Sequence, residues 1–413
     1  MTAPPLRGRR GRDRRIAEAA ARSALPRKTT DGRRDEGRGA GRRLPDLSAL
    51  PPLLAGSGSF TDLRSRLASP RRHVGLTAVP HGAKTYLAAA LALVDGGERL
   101  CWIARDAEIG DRVAEELQAW LGDPAAVAIL EPRTALAYER SELVADETAA
   151  RVAALAAWRS GRARILVAGV QALVQHTIAP DDLPPSPREL AVGGRLRQDA
   201  LLAELLDLGY SPVAEVAGRG EFARRGGIVD VFPPSAPLPV RIEFFGDEID
   251  SLRAFDPTDQ RAVGPLEGVV LLPASEFLRR PGGLEERLGR KAAKLPERLA
   301  ADLERFGAAA TSRAMNVGDA AEVWAPLLAP ASGLDHVPAD TLLVIDEPGD
   351  IAEAADFLWR QADERRAELV ASGELPKEWP STYFEPRPWK TRLVGSRTLE
   401  LTWESEAPEA AAL

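Results

Sequence analysis

The chain has 413 residues, 45% hydrophobic and 28% charged, with a net charge of −7, a balance suited to a soluble globular protein of two or three domains. No apolar run approaches the roughly 18–20 residues of a membrane span, and the N-terminus lacks the apolar core of a secretory signal, so a cytoplasmic protein is the plain reading. A single cysteine, Cys101, excludes an internal disulfide and a cysteine-rich zinc site.

Residues 1–45 hold 13 Arg and one Lys against five acidic residues, which gives this segment +9 and the remainder −16. The stretch 1–43 is too poor in apolar residues to fold alone and reads as a basic, disordered tail. It is either solvated, in nonspecific contact with nucleic acid, or the product of a start codon placed too early. The acidic body argues against a broad duplex-binding face, because such binding is driven by cations that displace counterions.

From 44 to 182 the pattern alternates apolar strands (74–79, 99–104, 127–130, 164–168) with amphipathic helices (83–93, 106–121, 146–159). This predicts a parallel sheet covered by helices. Between 183 and 274 the texture becomes α+β. A helix at 198–208 precedes two apolar runs, 227–232 and 240–245, which a Pro/Ser segment separates, so they pair as a hairpin with a following turn at Gly246-Asp247. A short strand at 268–272 closes this unit. Helical patterns return at 284–305 and 320–329, and a buried strand at 341–345 resumes the first domain over 275–357. The last part, 358–413, reads as a helix (351–369 in all), a Pro/Trp-rich linker, a short strand near 399–403 and a tail.

Residues 76–85, LTAVPHGAKT, sit after a strand and before a helix, where a phosphate-binding loop G-x-x-x-x-G-K-[ST] would lie. Ala78 and Ala83 stand at the two glycine positions, while Lys84 and Thr85 remain. A methyl at Ala83 crowds the place of the phosphates, and Pro80 removes a backbone donor. The strand 342–345 leads to Asp346 and Glu347, the metal-holding acids of such sites. The pattern is that of a degenerate nucleotide site: Lys84, Thr85, Asp346 and Glu347 are remnants that either hold Mg-nucleotide weakly or hold none, and the second reading is favoured because the backbone cradle supplies most phosphate contacts.

Residues 221–260 read EFARRGGIVDVFPPSAPLPVRIEFFGDEIDSLRAFDPTDQ. On the residues alone, Arg241 has Glu243 or Asp247 as an internal partner, and Phe245 has a place in the core. This segment resembles the small β-rich domain shared by UvrB and the transcription-repair coupling factors (Mfd). Residues 131–153, 164–175 and 205–216 are also similar to that family, so the resemblance runs from about 44 to 350. It implies a motor-like α/β domain interrupted by a domain that docks onto UvrA, with Arg225, Arg241 and Phe245 at the docking positions and Arg224, Glu221 and Phe222 as neighbours without assigned roles. UvrB carries its nucleotide motifs intact, whereas the eroded loop here resembles the N-terminal module of the coupling factors.

The expectation is therefore a UvrA-recruiting interaction module of transcription-coupled nucleotide excision repair, without its own motor activity, cofactor or metal. The family's RNA-polymerase-binding and translocase regions are expected to lie outside this chain. The alternatives are a weakly nucleotide-binding UvrB-like ATPase relic and a DNA-binding adaptor acting through the tail. No catalytic set stands out: His73, His81, His176 and His336 lack metal spacing, Glu243, Asp247, Glu248 and Asp250 surround a turn with Arg253 at hand, and Trp102, Trp120 and Trp158 occupy core positions.

Overall fold

The computed structural model describes residues 46–68, 73–280, 283–289, 294–307, 312–384, 391, 393 and 395–403. The expected basic tail (1–43), part of the helical stretch 284–305, part of the Pro/Trp-rich linker and residues 404–413 lie outside the described residues. In chain order the strands are β1 (His73–Leu76), β2 (Leu100–Ala104), β3 (Val127–Leu130), β4 (Ile165–Gly169), β5 (His176–Thr177), β6 (Arg188–Ala191), β7 (Ser211–Pro212), β8 (Glu221–Arg225), β9 (Ile228–Val231), β10 (Val240–Phe245), β11 (Glu248–Phe255), β12 (Ala262–Leu266), β13 (Gly268–Leu271), β14 (Ala331–Ser332), β15 (Leu342–Asp346) and β16 (Arg397–Leu401).

A six-stranded sheet in the order β1-β16-β15-β2-β4-β3, with every pairing parallel, forms the larger domain. The central strands β2, β4 and β15 are buried on both faces, as parallel strands covered by helices are, while the edge strand β1 is largely exposed. Alternate residues divide between two cores. Leu100, Trp102, Val344 and Leu399 pack with the helices His81–Leu93 and Ala107–Leu121. Cys101, Ile103, Leu166 and Leu343 pack with the helices Ala145–Arg159, Ala321–Leu328 and Pro348–Ala371. Asp106 caps the helix Ala107–Leu121 by accepting from the Ile109 N–H at 2.9 Å.

The short strand expected near 399–403 is present as β16, but nothing in the sequence assigned it to the parallel sheet. It lies between β1 and β15, with Leu399 opposite both Val74 and Val344. Its alternation in RTLEL resembles that of any exposed strand, and only the partners reveal that Leu399 and Leu401 are fully buried.

A second six-stranded sheet, β12-β11-β10-β9-β8-β7, forms the small domain, so α/β with an inserted β-rich unit is the observed class. The expected hairpin is the pair β9–β10, and the strands β8, β11 and β12 widen it beyond what two apolar runs suggest. The turns are glycine-dependent where the chain reverses tightly: Gly226 between β8 and β9 has φ +62°, and Gly246 between β10 and β11 has φ +63°. The helix Gln198–Asp207 covers one face, where Leu201 and Leu205 pack on Val229, Val231, Val240, Ile242 and Leu252. The opposite face carries only a small apolar cluster of Val216, Ala223, Phe232 and Phe255.

The chain enters and leaves this domain through an antiparallel pair, β6 with β13. Just beyond the exit, Glu276 joins a fully buried ionic network. It receives Arg151 Nε at 3.0 Å, Arg133 Nη1 at 3.2 Å and the Thr177 hydroxyl at 2.5 Å, while Arg133 Nε also donates to Glu322 at 2.5 Å. Burial penalises every one of these charges, yet the two arginines facing Glu276 hold its carboxyl below the usual range. Such a network is costly to break because removal of one member leaves an unpaired buried charge.

Candidate functional site

Two places in the fold carry the predicted site residues. The first is the phosphate-loop position between β1 and the helix His81–Leu93. Ala78 keeps the left-handed backbone that a glycine would adopt there, with φ +56°. The four remnants are brought together in part. Lys84 Nζ lies 2.7 Å from Asp346 Oδ1 and 2.5 Å from Glu347 Oε1 and is 1% exposed. Thr85 turns away from the acids: its hydroxyl donates to Glu116 at 2.7 Å and accepts from the Trp120 indole N–H at 3.2 Å.

The lysine that would meet a phosphate is thus neutralised by the two carboxylates that would hold a metal. The residues after β16 complete the closure. The Val79 N–H donates to the Thr402 carbonyl, the Trp403 N–H donates to Glu347 Oε1 at 2.9 Å, and the Trp403 ring stacks on His81 with centroids 5.9 Å apart. Sequence reading missed Glu116 and Trp403 because neither is adjacent to a nucleotide motif. Among the described residues no cluster of His, Cys, Asp or Glu is arranged to hold a metal ion.

The second place is the face of the small sheet opposite its main core. Directly opposed residues of neighbouring strands project to the same side, so pairing alone assigns the face. Arg225 is opposite Ile228, Ile228 opposite Glu243, and Glu243 opposite Ser251. One row over lie Ala223, Asp230, Arg241 and Arg253. Phe245, two residues beyond Glu243 on β10, belongs to this face too.

The three predicted docking residues have different environments. Arg241 donates through Nε and Nη2 to the two oxygens of Asp230 at 2.7 and 2.9 Å, and its guanidinium lies 4.8 Å from the Phe255 ring centroid. Neither Glu243 nor Asp247 is its partner, as the residues alone suggest. The hydrogen bonds to Asp230 raise the Arg241 pKa further above its ordinary value. Asp230 interrupts an apolar run at the position facing Arg241, and that cross-strand pairing was the signal the sequence reading passed over.

Arg225, by contrast, is exposed. It holds only the Ala214 carbonyl at 3.1 Å and Glu215 at 3.4 Å. Phe245 is 83% exposed, so the core position open to it on sequence grounds is not the one it takes. Glu243 meets Ser251 at 2.9 Å and Arg253 at 3.7 Å, which accounts for part of the acidic cluster as internal pairing. Trp102 and Trp158 are fully buried core residues, as expected, and Trp120 is half-buried.

The strands of this second face fall within a stretch that matches a known family. Residues 189–277 match the UvrB interaction domain. Similar proteins include the transcription-repair-coupling factor of Bacillus subtilis (strain 168), 32% identical over 273 residues that cover 60% of this chain and 23% of that protein. That of Escherichia coli (strain K12) is 35% identical over 195 residues, 46% of this chain and 16% of that protein. UvrABC system protein B of Bacillus caldotenax is 30% identical over 244 residues, 52% of this chain and 36% of that protein. The chain therefore spans only a fraction of the length of the curated relatives it matches.

Proposed function

We propose that this chain, which carries a UvrB interaction domain and is a homologue of the transcription-repair-coupling factors and of UvrB, recruits UvrA in nucleotide excision repair through the open face of its small sheet, with Arg225 and Phe245 as the contacting residues and Arg241 as the residue that braces them. The observation that carries this reading is Phe245, a large aromatic left 83% in water within the matched domain and on the same face as an exposed arginine. Exposed aromatic and arginine side chains on a rigid strand lose little freedom on docking, and such residues dominate binding energy at interfaces. Arg241 enters through its grip on Asp230, which fixes β10 against β9 and thereby aims Phe245.

The same reading assigns no motor activity to this chain. What supports it is the pairing of Lys84 with Asp346 and Glu347, which leaves the lysine no free charge for a phosphate. Titration of UvrA with the full chain tests the reading. Tight binding that Arg225→Glu and Phe245→Ala each weaken at least about tenfold, in variants that melt like wild type, is the expected result. Binding indifferent to both substitutions removes this face from the function.

A further inference from the structure

The loop that leads into the helix Gln198–Asp207 adds an edge to the small sheet that the sequence did not announce. Gly193 N–H donates to the Ile249 carbonyl at 2.8 Å, Ile249 N–H to Gly194 at 2.9 Å, and Leu196 N–H to Asp247 at 2.8 Å. This ladder sets Arg195 directly opposite Glu248, on the far side of Glu248 from Phe245. Phe245, Glu248 and Arg195 therefore form one row and project from one face, with Arg195 about 10 Å from Phe245 at the usual strand spacing. Phe245 and Arg195 also line one shallow depression, with Leu196, Arg197, Asp247 and Glu248 around it.

The charges nearby are unequally engaged. Arg197 is held by Asp199 at 2.5 and 3.0 Å, and Arg225 by the Ala214 carbonyl and Glu215. Arg195 is exposed, and its guanidinium has neither an ion pair nor a side-chain hydrogen bond among the described residues. A partner carboxylate that meets it has no internal partner to displace.

We propose that Arg195 is a second docking cation, a specificity-determining residue that fixes a carboxylate on the rim of the apolar notch that receives Phe245. This rests on the docking reading above and adds the chemistry of the partner surface: an apolar recess bordered by acid on the side of Arg195. A fork-shaped guanidinium fits a carboxylate in two bonds, which an ammonium does not reproduce.

The test is calorimetric titration of UvrA with the full chain as wild type, Arg195→Ala, Arg195→Lys, Arg195→Glu, Arg225→Glu, Phe245→Ala and Arg261→Glu, each checked for an unchanged melt. Arg261 is an exposed arginine of the β11–β12 loop, 86% open to solvent in its side chain, and controls for net charge. The expected result is about tenfold weaker binding for Arg195→Ala, a larger loss for Arg195→Glu, partial rescue by lysine, and a shallower salt dependence. Wild-type affinity for Arg195→Glu, beside losses for Arg225→Glu and Phe245→Ala, overturns the role of Arg195 and leaves the docking reading intact. A loss of equal size for Arg261→Glu reduces the effect to net charge and overturns it too. Indifference to Arg225→Glu and Phe245→Ala, or no binding by wild type, defeats the docking reading and this inference with it.

Discussion

Arg241 grips Asp230 across β9 and β10 with two parallel hydrogen bonds, and Asp230 is 1% exposed. A side chain placed by resemblance at a binding surface is therefore committed to holding two strands in register. Arg241→Ala leaves a buried carboxylate without its cation and is expected to cost about 2–4 kcal/mol of stability, the lower end reflecting partial solvent access to the arginine. Urea denaturation measures this, and a change within 0.5 kcal/mol (about the effect of a surface substitution) would make Arg241 a simple surface residue. Loss of partner binding by an Arg241 variant is informative only beside that number.

Phe245 is the opposite case. With its ring in water it has little to lose in the folded chain, so Phe245→Ala is expected to change stability by less than about 0.5 kcal/mol while it removes the apolar anchor of the docking face. The same pair of measurements, urea midpoint and UvrA affinity, gives a stable non-binder. An unstable variant would instead assign the ring to packing.

These two residues show what a sequence discloses and what it withholds. The parallel sheet was legible because β2, β3, β4 and β15 are short apolar runs separated from one another by helical patterns, and the wording around residues 221–260 pointed to the small domain. Strand neighbours were not legible. Asp230 and Arg241 are eleven positions apart in the chain and meet only once β9 and β10 pair, and Arg195 reaches the row of Phe245 through a ladder of backbone bonds that leaves no composition signal. The Gly226-Gly227 dipeptide, a tight-hairpin signal that makes β8 a strand ending at Arg225, was passed over. The nucleotide-loop remnants were found by motif, but their pairing with one another depends on β15 being placed beside β16.

Lys84 is predicted to be structural. Buried against Asp346 and Glu347, it should cost about 3 kcal/mol when replaced by alanine, because Asp346 is then left buried without its cation. A working nucleotide cradle at a hundred times its dissociation constant would raise stability by about 2.7 kcal/mol. Millimolar Mg-ATP is expected to leave the urea midpoint of the wild-type chain unchanged. A rise that Lys84→Ala abolishes would restore the reading of a UvrB-like nucleotide site.

The last prediction concerns pH and two histidines far from either site. His176 Nδ1–H donates to the Ala329 carbonyl and His336 Nε2–H to the Ile178 carbonyl, each at 2.8 Å, and both rings are buried. Burial pushes each pKa down from 6.5 to about 4. As pH falls, the unfolded chain therefore takes up these protons first. Stability is complete above the unfolded pKa and declines between pH 6.5 and about 4, with no further loss from these groups below that. Between pH 7 and pH 5 each ring should remove about 2 kcal/mol, a window that lies above most of the carboxylate titration. The double variant His176→Asn, His336→Gln supplies amide N–H donors in place of the rings and cannot titrate. Its urea midpoint is expected to stay nearly level from pH 7 to 5 while that of wild type falls, and parallel curves for the two proteins would locate the acid sensitivity elsewhere.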